Sequence, residues 1–130
     1  MATRVHSIIV DCRDASSQAR WWATVLGYHA TERNTGEFAV TDPSRVGTPL
    51  YFMNVPEPKT GKNRLHIDIT TPDSVKNEVA RLVALGGTLV EMRRDPPEYA
   101  NPDSWAVMQD PEGNEFCLLN DDSITGFDAT

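Results

Sequence analysis

The chain has 130 residues, of which 39% are hydrophobic and 24% charged, and its formal net charge is −7. That length suits one ordinary domain with its own core, and the acidic balance without a Lys/Arg run argues against nucleic acid or an anionic membrane surface as partner. No apolar stretch approaches the ~18 residues of a membrane span, and the two cysteines, Cys12 and Cys117, show neither the density nor the spacing of a disulfide scaffold.

Residues 4–11 read as a strand rich in β-branched side chains. Asp14 is suited to cap a helix over 15–26, on which Ala15, Ala19, Trp22, Ala23 and Leu26 share one face and which Gly27 stops. Strands are predicted near 28–32, 37–41 and 49–55, with Asn34-Thr35-Gly36 as the turn between the first two. The polar segment 57–62 carries Pro and Gly and reads as a linker. A strand follows over 63–70. Thr71-Pro72 predicts a helix start, with Val75, Val79, Leu82 and Val83 as the apolar stripe, Leu85 as the end and Gly86-Gly87 as the stop. Residues 88–92 read as a strand, and 93–103 as an irregular loop whose Tyr99 makes it a candidate lid. Strands at 104–109 and 115–120 flank a turn at Asp110-Pro111-Glu112-Gly113-Asn114, where Pro presets φ and Gly permits a positive one. Residues 123–130 read as a tail.

This order repeats itself. Arg4-Val5-His6 recurs as Arg64-Leu65-His66, Leu26-Gly27 as Leu85-Gly86, and Val40-Thr41-Asp42-Pro43 as Met108-Gln109-Asp110-Pro111. The chain therefore reads as two tandem β-α-β-β-β modules, over 1–58 and 63–122, in one domain spanning 1–122 of α+β class. Over 63–70 the odd residues Leu65, Ile67 and Ile69 are apolar and the even ones, Arg64, His66, Asp68 and Thr70, are polar. The first set should pack on the helix and the second should face a wet or occupied hollow. In the first strand the alternation is weaker, and repeat symmetry places His6 on the face equivalent to that of His66.

The tandem pattern, together with Trp21-Trp22-Ala23-Thr24-Val25-Leu26-Gly27, Leu65-His66-Ile67-Asp68 and Asp110-Pro111-Glu112-Gly113-Asn114-Glu115-Phe116-Cys117, resembles the vicinal oxygen chelate superfamily. That group includes glyoxalase I, extradiol dioxygenases, and bleomycin and fosfomycin resistance proteins. The resemblance covers about residues 3–120 and is nearest to the small glyoxalase-like domains. It implies a curved mixed sheet around a cavity between the modules. In metal-dependent members, cavity-facing positions, usually His or Gln, Glu, His and Glu, hold a divalent cation. Carried over residue by residue, His6 matches the first position, Met53 the second, His66 the third and Cys117 the fourth. Both carboxylates are missing, although Glu115 lies two residues before Cys117 on the same strand face. The resemblance also implies a homodimer.

The candidate ligand-binding residues are His6, Tyr51, Met53, Arg64, Trp105 and Cys117. The candidate catalytic residues are His66 and Asp68. The lost carboxylates and available aromatics point to a protein that binds a small, aromatic or otherwise bulky molecule, with no cofactor. The alternative is a divalent metal at His6 and His66, with Glu115 or Cys117 as third ligand, in a lyase, isomerase or dioxygenase. A cytoplasmic location is expected, because residues 1–10 lack the pattern of a signal peptide.

Overall fold

A computed structural model describes residues 2–99 and 104–121. The elements run β1 (Ile8–Cys12), α1 (Ala15–Leu26), β2 (His29–Glu32), β3 (Glu37–Thr41), β4 (Leu50–Asn54), β5 (Ile67–Thr71), α2 (Val75–Ala84), β6 (Thr88–Arg94), β7 (Ser104–Gln109) and β8 (Glu115–Asn120). They form two four-stranded mixed sheets, ordered β1-β4-β3-β2 and β5-β8-β7-β6. In each, the opening strand runs parallel to the closing one and the remaining pairs are antiparallel. The chain is thus an α+β fold of two tandem β-α-β-β-β modules. It divides into compact units at Thr60/Gly61.

In the first unit, Asp14 caps α1 by accepting from the Ser17 N–H, and Gly27 ends the helix at φ 69°, a left-handed conformation that a Cβ would disfavour. The buried face of α1 is broader than the predicted stripe, because Gln18, Trp21 and Val25 are buried along with Ala15, Ala19, Trp22 and Ala23. Trp21 and Trp22 meet edge to face, and α1 lies on a sheet core of Val40, Leu50 and Phe52.

In the second unit, Leu82 of α2 is fully buried on the side of the sheet that presents Ala106, Met108, Phe116 and Leu118. Strand alternation then turns Trp105, Val107, Cys117 and Leu119 to the opposite side. The turn between β7 and β8 is organised by Asp110, which is only 3% exposed and accepts from the backbone N–H groups of Glu112 and Asn114.

Several expected boundaries move. β1 begins at Ile8 and β5 at Ile67, so His6 and His66 both precede their strands. Leu65, expected to pack under the helix, lies before β5 and is 84% exposed, and Val83 of the predicted stripe is also exposed. The cap of α2 is Ser74, not Thr71. Thr71 is instead paired with Asn120 in the sheet, and its hydroxyl accepts from the Asp73 N–H. β6 continues through Arg93 and Arg94, which shortens the predicted loop from its start. Residues 100–103 of that loop and 123–130 of the tail lie outside the described residues.

The internal repeat is also in a different register from the one that the paired histidines suggest. The β1–β4 ladder sets Ile8 opposite Leu50, and the β5–β8 ladder sets Ile67 opposite Phe116. Both ladders end on an asparagine that bonds near the start of its own module's helix: Asn54 accepts from the Ala15 N–H, and Asn120 donates to the Asp73 carbonyl. In this register Ser7, rather than His6, is the counterpart of His66. Tyr51 is the counterpart of Cys117, and Met53 that of Leu119.

Candidate functional site

The side of the second sheet away from α2 is where polar side chains collect. β5 and β8 are adjacent parallel strands, and their register places Asp68 directly beside Cys117. On the other flank of Cys117 stands Val107 of β7. His66, one residue before β5, turns its ring back so that Nε2 lies 3.3 Å from Asp68 Oδ1. The donor atoms of His66, Asp68 and Cys117 all fall within 4.8 Å of one another. They share a hollow of about 430 Å³ with Lys62, Arg93, Asp95, Trp105, Val107, Glu115 and Leu119.

The electrostatics of the hollow are mixed. Burial pushes the half-buried Cys117 thiol up, the charge of Asp68 and its hydrogen bond push it further, and Arg93 and Lys62 pull it back. The result is a thiol that keeps its proton at neutral pH, unlike an activated nucleophile. The Glu115 carboxylate accepts the Asn63 N–H at 3.1 Å, tying β8 to the segment that enters β5. Arg93 pairs with Glu91 across one strand position.

In the first unit, the equivalent sheet face carries Tyr51. The His6 ring meets Tyr51 edge-on with centroids 5.8 Å apart, and Arg33 lies over the Tyr51 ring at 4.7 Å. His6 Nδ1 also lies 3.0 Å from the Ser7 hydroxyl oxygen. Met53 is two residues along the same strand, exposed, and its carbonyl accepts from the Cys12 thiol.

Of the residues singled out from sequence, then, His66, Asp68, Trp105, Glu115 and Cys117 line one hollow in the second unit, and His6 and Tyr51 touch in the first. Arg64 is exposed before β5 and does not line the hollow. Sequence reasoning missed Lys62, Arg93, Asp95, Val107 and Leu119. Val107 and Leu119 could have been found, since each is two residues from a singled-out residue on the same strand. Lys62 and Asp95 sit in irregular segments, where no periodicity reports direction.

The glyoxalase-like domain family matches residues 7–119. The chain belongs to that family. No curated protein matches the chain. Among solved structures, it is similar to a glyoxalase/bleomycin resistance protein/dioxygenase family enzyme from Burkholderia phytofirmans, at 22% identity and TM-score 0.66, over 88% of this chain and 96% of that one. It is similar to a glyoxalase-related enzyme from Fulvimarina pelagi at 19% identity and TM-score 0.67, over 93% and 90%. It is likewise similar to a variant of the fosfomycin resistance protein FosX from Listeria monocytogenes, complexed with manganese(II) and a dihydroxypropylphosphonic acid, at 16% identity and TM-score 0.69, over 92% and 90%. These likenesses share the fold, and with the family match they put the chain in the vicinal oxygen chelate superfamily. Among the described residues no helix is long and apolar enough to cross a membrane.

A glyoxalase-like domain raises the question of a divalent ion, and the donor chemistry answers in part. A hard cation such as manganese or magnesium prefers carboxylate, carbonyl and water oxygens. Here the carboxylate on the closing strand itself, Glu115, is engaged with the Asn63 N–H, and Cys117 offers sulfur instead. The set of imidazole, carboxylate and thiolate does not suit a hard ion. It does suit zinc, for which all three are ordinary ligands.

Proposed function

We propose that this glyoxalase-like domain binds a small, aromatic or otherwise bulky molecule against the open face of its second sheet, without the carboxylate-rich hard-cation site of its metal-dependent relatives. The observation that carries this reading is the hollow itself. Its volume of about 430 Å³ falls in the range of small-molecule sites, roughly 300–1,000 Å³. Trp105, Val107 and Leu119 supply an apolar wall, and His66, Asp68, Lys62 and Arg93 supply a few polar groups to fix orientation. The protein acts as a homodimer in the cytoplasm. Light scattering checks the first point, since two chains of 14.4 kDa should weigh 28.8 kDa.

The test is a thermal-shift and calorimetric screen of aromatic compounds against the wild type and Trp105→Ala. A true ligand at about 100 times its Kd should stabilise the wild type by about 2.7 kcal/mol, and Trp105→Ala should lose most of that gain. A screen without any shift, or a ligand that binds both forms equally, would remove this reading.

The cluster of His66, Asp68 and Cys117 favours a second reading, in which the domain is a divalent-metal-dependent lyase, isomerase or dioxygenase. Under it, turnover requires an added ion and disappears in His66→Ala. Under the first reading, the organic ligand binds in the presence of a chelator.

A further inference from the structure

The longest strand of the second sheet is also its most exposed. β6 runs over 7 residues, all of them exposed, and Leu89, Val90 and Met92 keep 40%, 51% and 50% of their surface in water. It ends the order β5-β8-β7-β6, so its edge away from β7 carries no strand partner among the described residues. Native proteins keep free edges short or charged, because a long apolar one pairs with another chain. The other edge strands, β1, β2 and β5, have only 5, 4 and 5 residues. We propose that β6 is a self-pairing surface: two copies join it antiparallel about a two-fold axis at Met92, making their second sheets continuous. This rests on the homodimer reading and supplies the surface for it.

Geometry restricts the register. Met92 is paired with Ala106 and Leu89 with Met108, on the α2 side of the sheet, whereas Glu91 and Arg93 are paired with Val107 and Trp105, on the side of the hollow. A bulge between Leu89 and Glu91 interrupts the ladder and leaves Glu91 to Arg94 as the regular run. Directly opposed residues of an antiparallel pair share a face. A two-fold axis perpendicular to the sheet also keeps every side chain on its own face. The axis must therefore pass through a residue that stands opposite its own copy, and the regular run offers few choices.

Charge selects among them. Centred on Glu91, the pairing sets two glutamates against each other. Centred on Arg94, it opposes two arginines, and centred on Arg93 it does the same and adds Glu91 opposite the partner's Asp95. Centred on Met92, it places Glu91 opposite the partner's Arg93 and Arg93 opposite the partner's Glu91. Opposed unlike charges favour a register and like charges disfavour it. Glu91 and Arg93 already pair along their own strand, so the four groups alternate in sign. On the α2 face the two Met92 side chains meet, with Leu89 on the same side, and Val83 and Leu85 lie exposed at the end of α2 that leads into β6. Covering this strip removes apolar surface from water on both copies. Because Arg93 lines the hollow, the same pairing brings the partner's Glu91 to its rim.

The experiment uses the full chain, with sedimentation over a dilution series to read the dissociation constant of the dimer. Glu91→Lys and Arg93→Glu each turn both cross-strand pairs into like charges, and each should weaken the dimer by about tenfold or more. The double variant restores unlike pairs with the signs exchanged, and should return to within about threefold of wild type. Met92→Cys, in a Cys117→Ser background, should form an intermolecular disulfide on mild oxidation, because opposed Cα atoms about 4.5–5.5 Å apart suit that bond. Val90→Cys in the same background should not, since it stands opposite the partner's Arg94. Hydrogen exchange of the wild type should find β6 amides protected in the dimer and released on dilution, which keeps the test decisive even if a variant fails to fold. A mass of 14.4 kDa at every concentration would remove both the homodimer reading and this surface. A dimer that neither charge reversal weakens, that Met92→Cys fails to cross-link, or whose double variant is as weak as the singles would overturn the β6 surface and leave the homodimer standing. Protection of β6 that dilution does not release would also overturn it, since the chain itself would then cover the edge.

Discussion

At the scale of single residues, Cys117 shows how position changes chemistry. The thiol sits half-buried beside a carboxylate, and both features favour its neutral form, so its pKa lies above the ordinary 9.0. In the unfolded chain the thiol is free of both. Between the two values the folded protein binds a proton that the unfolded chain has released, so stability falls as pH rises. The contribution is complete below about pH 9 and is lost as pH climbs through the folded-state value. Urea titrations at about pH 8 and about pH 10 should therefore show a steeper loss for the wild type than for Cys117→Ser. Equal losses would mean that neither burial nor Asp68 raises the thiol. None of this was legible from residue 117 in isolation. The sequence marked Cys117 as a closing-strand position and Asp68 as polar and cavity-facing, but only the pairing of β5 with β8, remote along the chain, makes them neighbours.

At the scale of elements, local signals were reliable where chain chemistry alone decides the outcome. α1, β3, β7 and β8 occupy their predicted ranges, because caps, glycine stops and strong turns act within a few residues. Boundaries shifted where sheet pairing competes with a local signal. Thr71-Pro72 has the form of a helix start, but Thr71 is claimed by the ladder with Asn120, and the cap passes to Ser74. The opening strand began late, at Ile8, because its partner β4 reaches only from Leu50 to Asn54. The β7–β8 turn has the most direct bearing on the site, because it fixes the register that sets Val107 opposite Cys117. Asp110 is buried there and accepts backbone N–H groups from Glu112 and Asn114. Asp110→Ala leaves those donors unpaired and should cost about 2–3 kcal/mol in chemical denaturation. Ligand affinity should fall with it, since β8 carries Cys117. A variant with wild-type stability would show that the turn is held by proline and glycine alone.

At the scale of the whole molecule, duplication of the fold has not duplicated the chemistry. In ladder register, the second unit places His66, Cys117 and Leu119 where the first places Ser7, Tyr51 and Met53. A hydroxyl, a phenol and a thioether make a poor set for a divalent ion, and the Tyr51 ring is engaged by Arg33 and His6. His6 is not the positional twin of His66, and within its own unit its ring packs on an aromatic neighbour, an arrangement that needs no metal. Under the metal-dependent reading, with cobalt(II) as the added ion, the stoichiometry should accordingly be one ion per chain rather than two, and His6→Ala should leave cobalt affinity within about twofold of wild type, against a loss of about tenfold or more in His66→Ala. Isothermal titration of the two variants side by side makes the comparison, with far-ultraviolet dichroism to verify that each is folded. An equal loss in His6→Ala would restore the pair of histidines that sequence repetition alone suggested, and would mean that repeat position along the chain outweighs the register read from strand pairing.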